Sequence, residues 1–493
     1  MRKACCLLLL SACARDLEGQ EPRNRTLYYP MSLAVHDPPG STDPDEQRYL
    51  YVLSSNFDLR YNAGWVSAID LDVLVAADDP REAMIEQVGD STALKVLSLG
   101  GALAIDSAHG MGVVPHRGEP VVSLLSVSAD GRKVSCGEPP TGEDSDLTSA
   151  ERRTDCDREH LLRLAEDVDY TPDASEAQLA DPFAAVLLEK PPASGELYAV
   201  IGHLSAAVLF SQLSVIPMVD ATSQRLLDVQ SVRLGTSGVG YLAAHPDASV
   251  NYVAATSQYF GSGSRGSTLY SVDLARDEVQ TFGLESVLAG FELMGMTFSP
   301  DGELAFVAVN RAPGASAGTD SVGVLDARWA IVDVTFEDAK CTDSSECDNV
   351  EECEGAVCAC ADSRCVATIR RPRFEVLGGF SIQGRPTELA YVERPGQQDL
   401  LAVVSFDDDA VFMLAPQDPE LRAQGVPLSG ALTPVARLDR VGSGPFAVRH
   451  VQRNGVHYLV IASFFSHELR VYDVSGEPAD FRRVARLTSE HPK

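Results

Sequence analysis

The cysteines of residues 341–365 are the densest group of reactive side chains in this sequence, with six thiols in twenty-five residues. Thiolates typically bind zinc through C-x2-C pairs, and they oxidise to disulfides in exported proteins. The spacing here is C-x5-C-x5-C-x4-C-x-C-x4-C, and no histidine lies between Ala327 and Val441. The pattern therefore favours three disulfides over a metal site, formed by Cys341, Cys347, Cys353, Cys358, Cys360 and Cys365.

Two further cysteines, Cys136 and Cys156, stand apart from this group. Their pairing would close a loop of about twenty residues, and such a bridge typically stabilises a protein by about 2–4 kcal/mol. The chain has eleven cysteines in total. Eight remain when Cys5, Cys6 and Cys13 of the N-terminal segment are set aside, and an even number agrees with disulfide pairing in an oxidising compartment.

The N-terminal segment resembles the signal peptide of a bacterial lipoprotein. Met1-Arg2-Lys3 is basic, residues 4–10 are apolar, and Leu10-Ser11-Ala12-Cys13 has the order of a lipobox. The apolar run is far shorter than the roughly 20 residues that span a bilayer, but it fits an export signal. The resemblance implies removal of residues 1–12, a lipid on Cys13 and a polar tether over 13–27. The alternatives are an ordinary cleaved signal and a start codon placed too late.

The remaining short motifs indicate turns or loops rather than chemistry. The G-x-G-x-x-G at 261–266 precedes a strand, whereas a dinucleotide site needs a helix there. Aspartates favour turns, which accounts for Asp407–Asp409 and for the strand-terminal Asp70, Asp273, Asp326 and Asp473. We expect His116, His203, His245 and His467 to be exposed or hydrogen-bonded rather than metal ligands. No cofactor and no metal site are predicted.

The elements that carry these residues repeat along the chain. A short apolar strand, a turn, a strand rich in Val, Tyr and Ala, a polar loop and a strand ending in Asp recur at 241–274, 296–326, 388–414 and 446–474. A partial copy lies at 49–71, weaker copies begin near Gly110 and Phe183, and an outer strand follows most copies. Four-stranded units at such a period predict an all-β fold, a seven-bladed β-propeller, with six or eight blades as alternatives.

The repeat resembles the YVTN-type repeat of bacterial β-propellers. Pro300-Asp301-Gly302 precedes the apolar strand at 304–307, and Pro246-Asp247 precedes the strand at 250–253. The resemblance covers nearly all of residues 28–493. It implies a propeller that is shared by lactonases, quinoprotein-like enzymes and binding scaffolds, so it does not select a function.

Two segments interrupt the repeat. Residues 136–182 are polar and hold the isolated cysteine pair, with a short helix expected within 152–167. Residues 339–367 contain the six clustered cysteines and are similar to an EGF-like knob, which we expect to project between blades five and six. A segment of that size needs covalent staples because it cannot build a core of its own.

Charge excludes one class of partner. The chain carries 40 basic and 71 acidic residues, a net charge of −31. Nucleic-acid binding needs a basic footprint, which is lacking here. Such a charge also opposes adsorption to anionic lipid, so membrane attachment is expected through the lipid anchor only. The predicted location is the cell envelope, at the outer membrane, facing the periplasm or the cell surface.

Long loops between the second and third strands of blades one, four and five should share one face of the propeller. Together with blade seven they define the predicted binding face: Asn56, Asp58, Arg60, Tyr61, Tyr259, Arg265, Asn310, Arg311, Phe464, Phe465 and His467. Aromatic and Arg side chains on one face are typical of recognition surfaces. We expect a lipid-anchored binding or scaffold module for an envelope protein or polymer. The alternatives are a lactonase-like or quinoprotein-like enzyme at the central channel and a purely structural envelope protein.

Overall fold

The fold is a ring of seven four-stranded antiparallel sheets. The structure is a computed structural model and describes residues 20–39, 43–87, 90–117, 121–136, 156, 161–164, 181–190, 194–204, 212–218, 230–234, 238–247, 249–258, 268–274, 278–283, 292–310, 320–337, 357–361 and 364–488. The predicted seven-bladed β-propeller is confirmed. Cys13 and the G-x-G-x-x-G segment lie outside the described residues.

The blades follow one another along the chain, each as a meander whose first strand is innermost. Blade one comprises β1 (Pro30–Val35), β2 (Tyr49–Ser54), β3 (Gly64–Asp70) and β4 (Leu94–Val96). Blade two comprises β5 (Ala104–Asp106), β6 (Met111–His116), β7 (Val121–Val127) and β8 (Val134–Ser135), with β9 (Leu161–Arg163) also paired to β7. Blade three comprises β10 (Pro182–Glu189), β11 (Leu197–His203), β12 (Gln212–Pro217) and β13 (Gln230–Arg233).

Blade four comprises β14 (Gly238–Ala244), β15 (Tyr252–Gln258), β16 (Thr268–Asp273) and β17 (Glu278–Gly283). Blade five comprises β18 (Glu292–Phe298), β19 (Leu304–Asn310), β20 (Ser321–Asp326) and β24 (Glu375–Ser381), and a separate sheet of β21 (Trp329–Glu337), β22 (Val357–Ala361) and β23 (Arg364–Pro372) is inserted before β24. Blade six comprises β25 (Pro386–Val392), β26 (Leu400–Ser405), β27 (Ala410–Ala415) and β28 (Thr433–Asp439). Blade seven comprises β29 (Pro445–Arg453), β30 (Val456–Ser463), β31 (Glu468–Asp473) and β32 (Arg482–Thr488).

Helices occur only as short connections in the part of the chain that the structure describes. They are α1 (Leu71–Ala76), α2 (Pro419–Ala423) and the 3-10 turns Pro44–Glu46, Pro80–Ala83 and Pro478–Asp480. Asp70 shows how the strand-terminal aspartates work, since its carboxylate accepts the amide N–H groups of Asp72 and Val73 and caps α1. The predicted turn at Asp407–Asp409 joins β26 to β27.

The core is divided among the blade interfaces. Each sheet has two apolar faces because both pack on neighbouring blades. Central strands such as β2, β19 and β26 are therefore buried throughout and apolar except at their last residue. Among the described residues, one cluster of buried apolar side chains fills each of the seven interfaces. The ring is therefore held by seven similar contacts.

Among the strands that the structure describes, none is exchanged between the two ends of the chain to close the ring. Blade one is built wholly from residues 30–96 and blade seven wholly from residues 445–488. Their interface contains Leu33 and Val52 from blade one and Val460 and Leu469 from blade seven. At its edge, Arg453 of blade seven pairs with Asp72 of α1. Side-chain packing and this ion pair close the ring.

The two insertions differ from the predictions. Within the described residues of 152–167 there is a strand, β9, rather than a helix, because Leu161–Arg163 pairs with Val121–Ser123 at the edge of blade two. The cysteine-rich insertion extends beyond 339–367, since its stem is a ribbon in which Trp329–Glu337 pairs with Arg364–Pro372. It leaves from within blade five, between the third and outer strands, rather than between blades five and six.

The predicted tether, 13–27, is also corrected in its second half. Residues 20–27 lie against blade one: Asn24 accepts the amide N–H of Thr92, and the carbonyl of Thr26 accepts the indole N–H of Trp65. Leu27 is buried in the interface between blades one and seven. Packing and hydrogen bonds therefore hold this part of the segment in place.

Candidate functional site

A channel of about 520 Å³ runs between the innermost strands of the blades. Each innermost strand pairs on one side only, so its free edge faces the channel. Every blade contributes side chains to the lining, here represented by Leu33, Leu103, Phe183, Tyr241, Met296, Glu388 and Arg449. Cavities of this size hold small ligands or an inserted chain segment.

One polar cluster interrupts this lining, and we call Tyr241, Glu388 and Arg449 the channel trio. Arg449 Nη1 donates to Glu388 Oε1 at 2.6 Å, and the backbone N–H of Val448 donates to Glu388 Oε2 at 2.7 Å. The Tyr241 hydroxyl donates to Glu388 Oε1 at 3.3 Å. Residues of blades four, six and seven thus meet on one carboxylate.

Electrostatics favour the charged form of Arg449 and the protonated form of Tyr241. Burial opposes the charging of Arg449, but the facing Glu388 carboxylate more than offsets it and raises the Arg449 pKa. Burial, together with the charge of Glu388, raises the pKa of the Tyr241 hydroxyl, which stays protonated. Three donors, from Tyr241, Val448 and Arg449, thus hold the Glu388 carboxylate in place.

The innermost strands begin at the face at which the second and third strands of each blade are joined, and we call this face the loop face. The end of the channel at this face is called its mouth. An aromatic rim surrounds part of the mouth: Tyr29, Phe57, Phe406, Phe446, Phe464 and Phe465. Phe446 lines the channel and lies 6.0 Å, ring to ring, from Phe464. Phe465 is 54% exposed and Phe57 is 49% exposed.

Two charged groups lie beside this rim. The Arg385 guanidinium sits 5.9 Å from the centre of the Phe406 ring, a cation–π contact. Glu292 begins β18 at the loop face, and burial raises the pKa of its carboxyl while Arg385 opposes the shift. The mouth therefore combines exposed aromatic surface with at least one cation.

The structure divides the predicted binding face into buried and exposed residues. Asn56, Tyr61, Asn310, Phe464 and His467 are buried and are not available to a partner. Asp58, Arg60 and Phe465 are exposed on the loop face. Tyr259, Arg265 and Arg311 lie outside the described residues. Within the described residues, the exposed members of the predicted face therefore belong to blades one and seven.

The buried members of the set have structural roles. The Asn56 side chain donates to the Tyr61 carbonyl and accepts the Tyr61 amide N–H, which pins the loop of blade one. His467 Nδ1 accepts the amide N–H of Tyr29 at 2.8 Å, and its ring stacks on Tyr28. His116 and His203 are buried and bond Ser123 and Ser214. Buried polar groups with partners are the usual state of a folded core.

The cysteines contribute no visible site. Cys136 and Cys156 are joined in a disulfide with their Cα atoms 5.3 Å apart. Cys358, Cys360 and Cys365 belong to the backbone of β22 and β23, whereas Cys341, Cys347 and Cys353 lie outside the described residues. Among the residues that the structure describes, no group of three or more His, Cys, Asp or Glu side chains is placed to hold a metal.

Sequence reasoning missed the channel trio. Glu388 is the one charged residue of the innermost strand PTELAYV, and that contrast was the available signal. Arg449 lies in PFAVRHVQR, which contains other polar residues and gives no such contrast. The partners are 61 and 147 residues apart along the chain, so their convergence depends on the closed ring.

No protein-family model matches the sequence, and no curated protein matches it significantly. Solved structures are similar in fold. One is the periplasmic gluconolactonase PpgL of Pseudomonas aeruginosa, with 15% identity over 86% of this chain and 95% of that one and a TM-score of 0.47. A putative 6-phosphogluconolactonase of Bacteroides uniformis has 11% identity over 83% of this chain and 84% of that one, with a TM-score of 0.46. A protein from Lactobacillus plantarum has 14% identity over 87% of this chain and 89% of that one, with a TM-score of 0.46. At these identities and scores, the likeness says nothing about activity. No helix in the described ranges is both long and apolar enough to cross a membrane.

Proposed function

We propose that this protein is a lipid-anchored binding module of the bacterial cell envelope whose ligand site is the mouth of the channel. The observation that carries the proposal is the aromatic rim, in which exposed Phe465 packs on buried Phe464, and Phe464 packs on Phe446 of the channel lining. Exposed aromatic surface beside a cavity is a recognised mark of an interaction site.

The rim is well suited to recognition because its rings are held in place. Phe465 packs on Phe406 at 5.4 Å, and the rings of Phe406 and Phe446 are 6.3 Å apart. Rigid aromatic side chains lose little conformational entropy when a partner binds. The partner class is an envelope protein or polymer, and the net charge of −31 excludes nucleic acid.

The anchor of this module is Cys13, by way of the signal that the N-terminal residues resemble. Lipid attachment would keep the propeller at a membrane surface, with the outer membrane as the preferred location. Replacement Cys13→Ser should move the protein from the membrane fraction to the soluble fraction. Retention of tight membrane association by this variant would contradict the anchoring.

The binding role is tested by photo-crosslinking of the full-length protein in its own cell envelope. Phe465→Ser should remove a crosslinked species, because it deletes the most exposed ring of the rim. The matched control is Ile331→Ser, which removes an exposed apolar side chain, 75% accessible, from the inserted ribbon. Equal crosslinking by wild type, Phe465→Ser and Ile331→Ser would reject the rim as the site.

The channel trio favours a second candidate, the lactonase-like enzyme that the repeat resemblance implies. A carboxylate, a guanidinium and a phenol facing one cavity could stabilise charge on a bound ester. Loss of lactone hydrolysis in Glu388→Gln, with retention in Phe465→Ser, would support this candidate. We prefer the binding module because Phe465 of the rim is exposed to a partner, whereas Tyr241 and Arg449 of the trio both donate to Glu388.

A further inference from the structure

The N-terminal segment leaves the propeller at its loop face. The carbonyl of Gln20 accepts the amide N–H of Asn62, and the Glu21 carboxylate pairs with Lys95 at 2.6 Å. Asn62 belongs to the loop between β2 and β3 of blade one. Any chain that precedes Gln20 therefore starts beside this loop.

The distance from that exit to the predicted lipid is short. Seven residue steps separate Cys13 from Gln20. A fully extended chain covers at most about 3.6 Å per residue, so Gln20 lies within roughly 25 Å of the lipidated cysteine. A strand of seven residues, the thickness of a blade, is about 23 Å long. The tether is too short to run past the blade to a membrane at the opposite face and still leave slack.

The loop beside the exit presents two apolar side chains outward. Phe57 is 49% exposed and Leu59 is 40% exposed. Leu59 has a φ of +56°, a left-handed conformation that a leucine rarely adopts. The strain is held by the loop itself, because Asn56 bridges to both backbone groups of Tyr61 and Asp58 accepts from the Tyr28 hydroxyl. A rigid loop thus keeps two apolar groups in water.

We propose that Phe57 and Leu59 insert into the lipid interface of the membrane that carries the anchor. This inference rests on the lipid anchor of the proposed function, and it adds a protein contact to an attachment that we expected through the lipid only. The rest of the rim, at blades six and seven, remains open to a partner at the same membrane surface.

The contact is apolar rather than electrostatic. The chain has a net charge of −31, so anionic lipid repels the body of the protein. Near the contact, Arg60 is fully exposed and Asp58 is engaged by Tyr28. Apolar side chains of interfacial segments enter the boundary between headgroups and acyl chains without requiring anionic lipid. The insertion should therefore persist in zwitterionic membranes.

The experiment uses the full-length lipidated protein in zwitterionic vesicles that contain lipids with brominated acyl chains. Phe57→Trp and Leu59→Trp each place a fluorescent indole in the loop, and Ile331→Trp is the control on the inserted ribbon, which leaves blade five from the opposite face. The native tryptophans, Trp65 and Trp329, are common to all variants. We expect at least about twofold stronger quenching in the two loop variants than in the control.

Equal quenching in all three variants, with the protein membrane-bound, overturns the lipid contact and leaves the anchor intact. Failure of the anchor itself has a different signature, since wild type and Cys13→Ser would then partition identically between the membrane and soluble fractions. A concentration-dependent blue shift of Phe57→Trp in detergent, without quenching in vesicles, assigns the loop to a second copy of the chain and rejects the lipid contact. Two loop positions guard against a local effect of one substitution.

Discussion

Arg453 of blade seven and Asp72 of blade one face each other side-on across the seam of the ring, with Nε–Oδ1 and Nη2–Oδ2 distances of 2.7 and 2.8 Å. Arg453 also donates to the Asp45 carbonyl. Bidentate pairs of Arg and a carboxylate are among the strongest hydrogen-bonded ion pairs in proteins. Since no strand crosses the seam, this pair is the polar counterpart of the apolar packing that closes the ring.

Loss of this pair should weaken the ring. Arg453→Met should lower the free energy of unfolding by about 1–2 kcal/mol, because it removes three charge-assisted hydrogen bonds from a partly buried site. Urea denaturation followed by fluorescence measures the change. Arg482→Met is the control, since Arg482 pairs with Asp473 within blade seven and is 73% exposed, and its effect should stay within about 0.5 kcal/mol.

The same pair gives stability a defined pH dependence. The hydrogen bond from Arg453 lowers the pKa of Asp72 below its ordinary 3.8. A carboxyl with a lowered folded-state pKa stabilises the fold above its unfolded pKa, and this contribution is lost as the pH falls through the folded value. The difference between wild type and Arg453→Met should be constant from about pH 7 to 5 and shrink below about pH 4. An unchanged difference at pH 3 would contradict this assignment.

Substitutions of Glu388 and of Tyr241 in the channel trio should lower the unfolding free energy by different amounts. Glu388→Gln leaves the buried Arg449 without its counter-charge and should cost about 2–4 kcal/mol of unfolding free energy. Tyr241→Phe removes one neutral donor to the same carboxylate and should cost about 1 kcal/mol. Thermal and urea denaturation of both variants test this order. Equal costs would mean that the ion pair between blades six and seven is not a major contact.

The disulfide between Cys136 and Cys156 should stabilise the interface of blades one and two, where both residues are buried. Replacement of both by Ala should lower the unfolding free energy by about 2–4 kcal/mol, as expected for a bridge of this loop length. In reducing agent the wild type and the variant should have the same unfolding free energy, because the cysteines of residues 341–365 are reduced in both. A variant as stable as oxidised wild type would contradict the structural role.

The strands of blades that carry the complete sequence repeat were predictable from the sequence. Pro300-Asp301-Gly302 indicated the turn between β18 and β19, and Gly302 adopts the left-handed φ of +69° that this turn requires. Blade two was harder, because its innermost strand has only the residues Ala104–Asp106 and shows no alternation. The segment at Met111 was therefore placed first, although it is the second strand.

The candidate site was predictable only in part. Asp58, Arg60 and Phe465 were assigned to the correct face because strand order determines which loops share a face. The burial of Asn56 and His467 was not foreseen, because it depends on the hydrogen bonds that they make to Tyr61 and to Tyr29 of another blade. The repeat pattern of the strands indicates which residues pack on the neighbouring blades. It does not indicate which loop residues become buried through hydrogen bonds.

The closed ring without strand exchange has a consequence for chain connectivity. Every sheet is complete within one continuous stretch, apart from the ribbon inserted in blade five and β9 at the edge of blade two. The interface between blades seven and one, which no described chain segment connects, is therefore structurally equivalent to the interface between any two blades that are joined along the chain. A circular permutant that joins the present ends and opens between Asp439 and Pro445 would retain all seven sheets, and such junctions are the sites at which permutation succeeds. The same ring should therefore form from a chain in which the blades are synthesised in a different order.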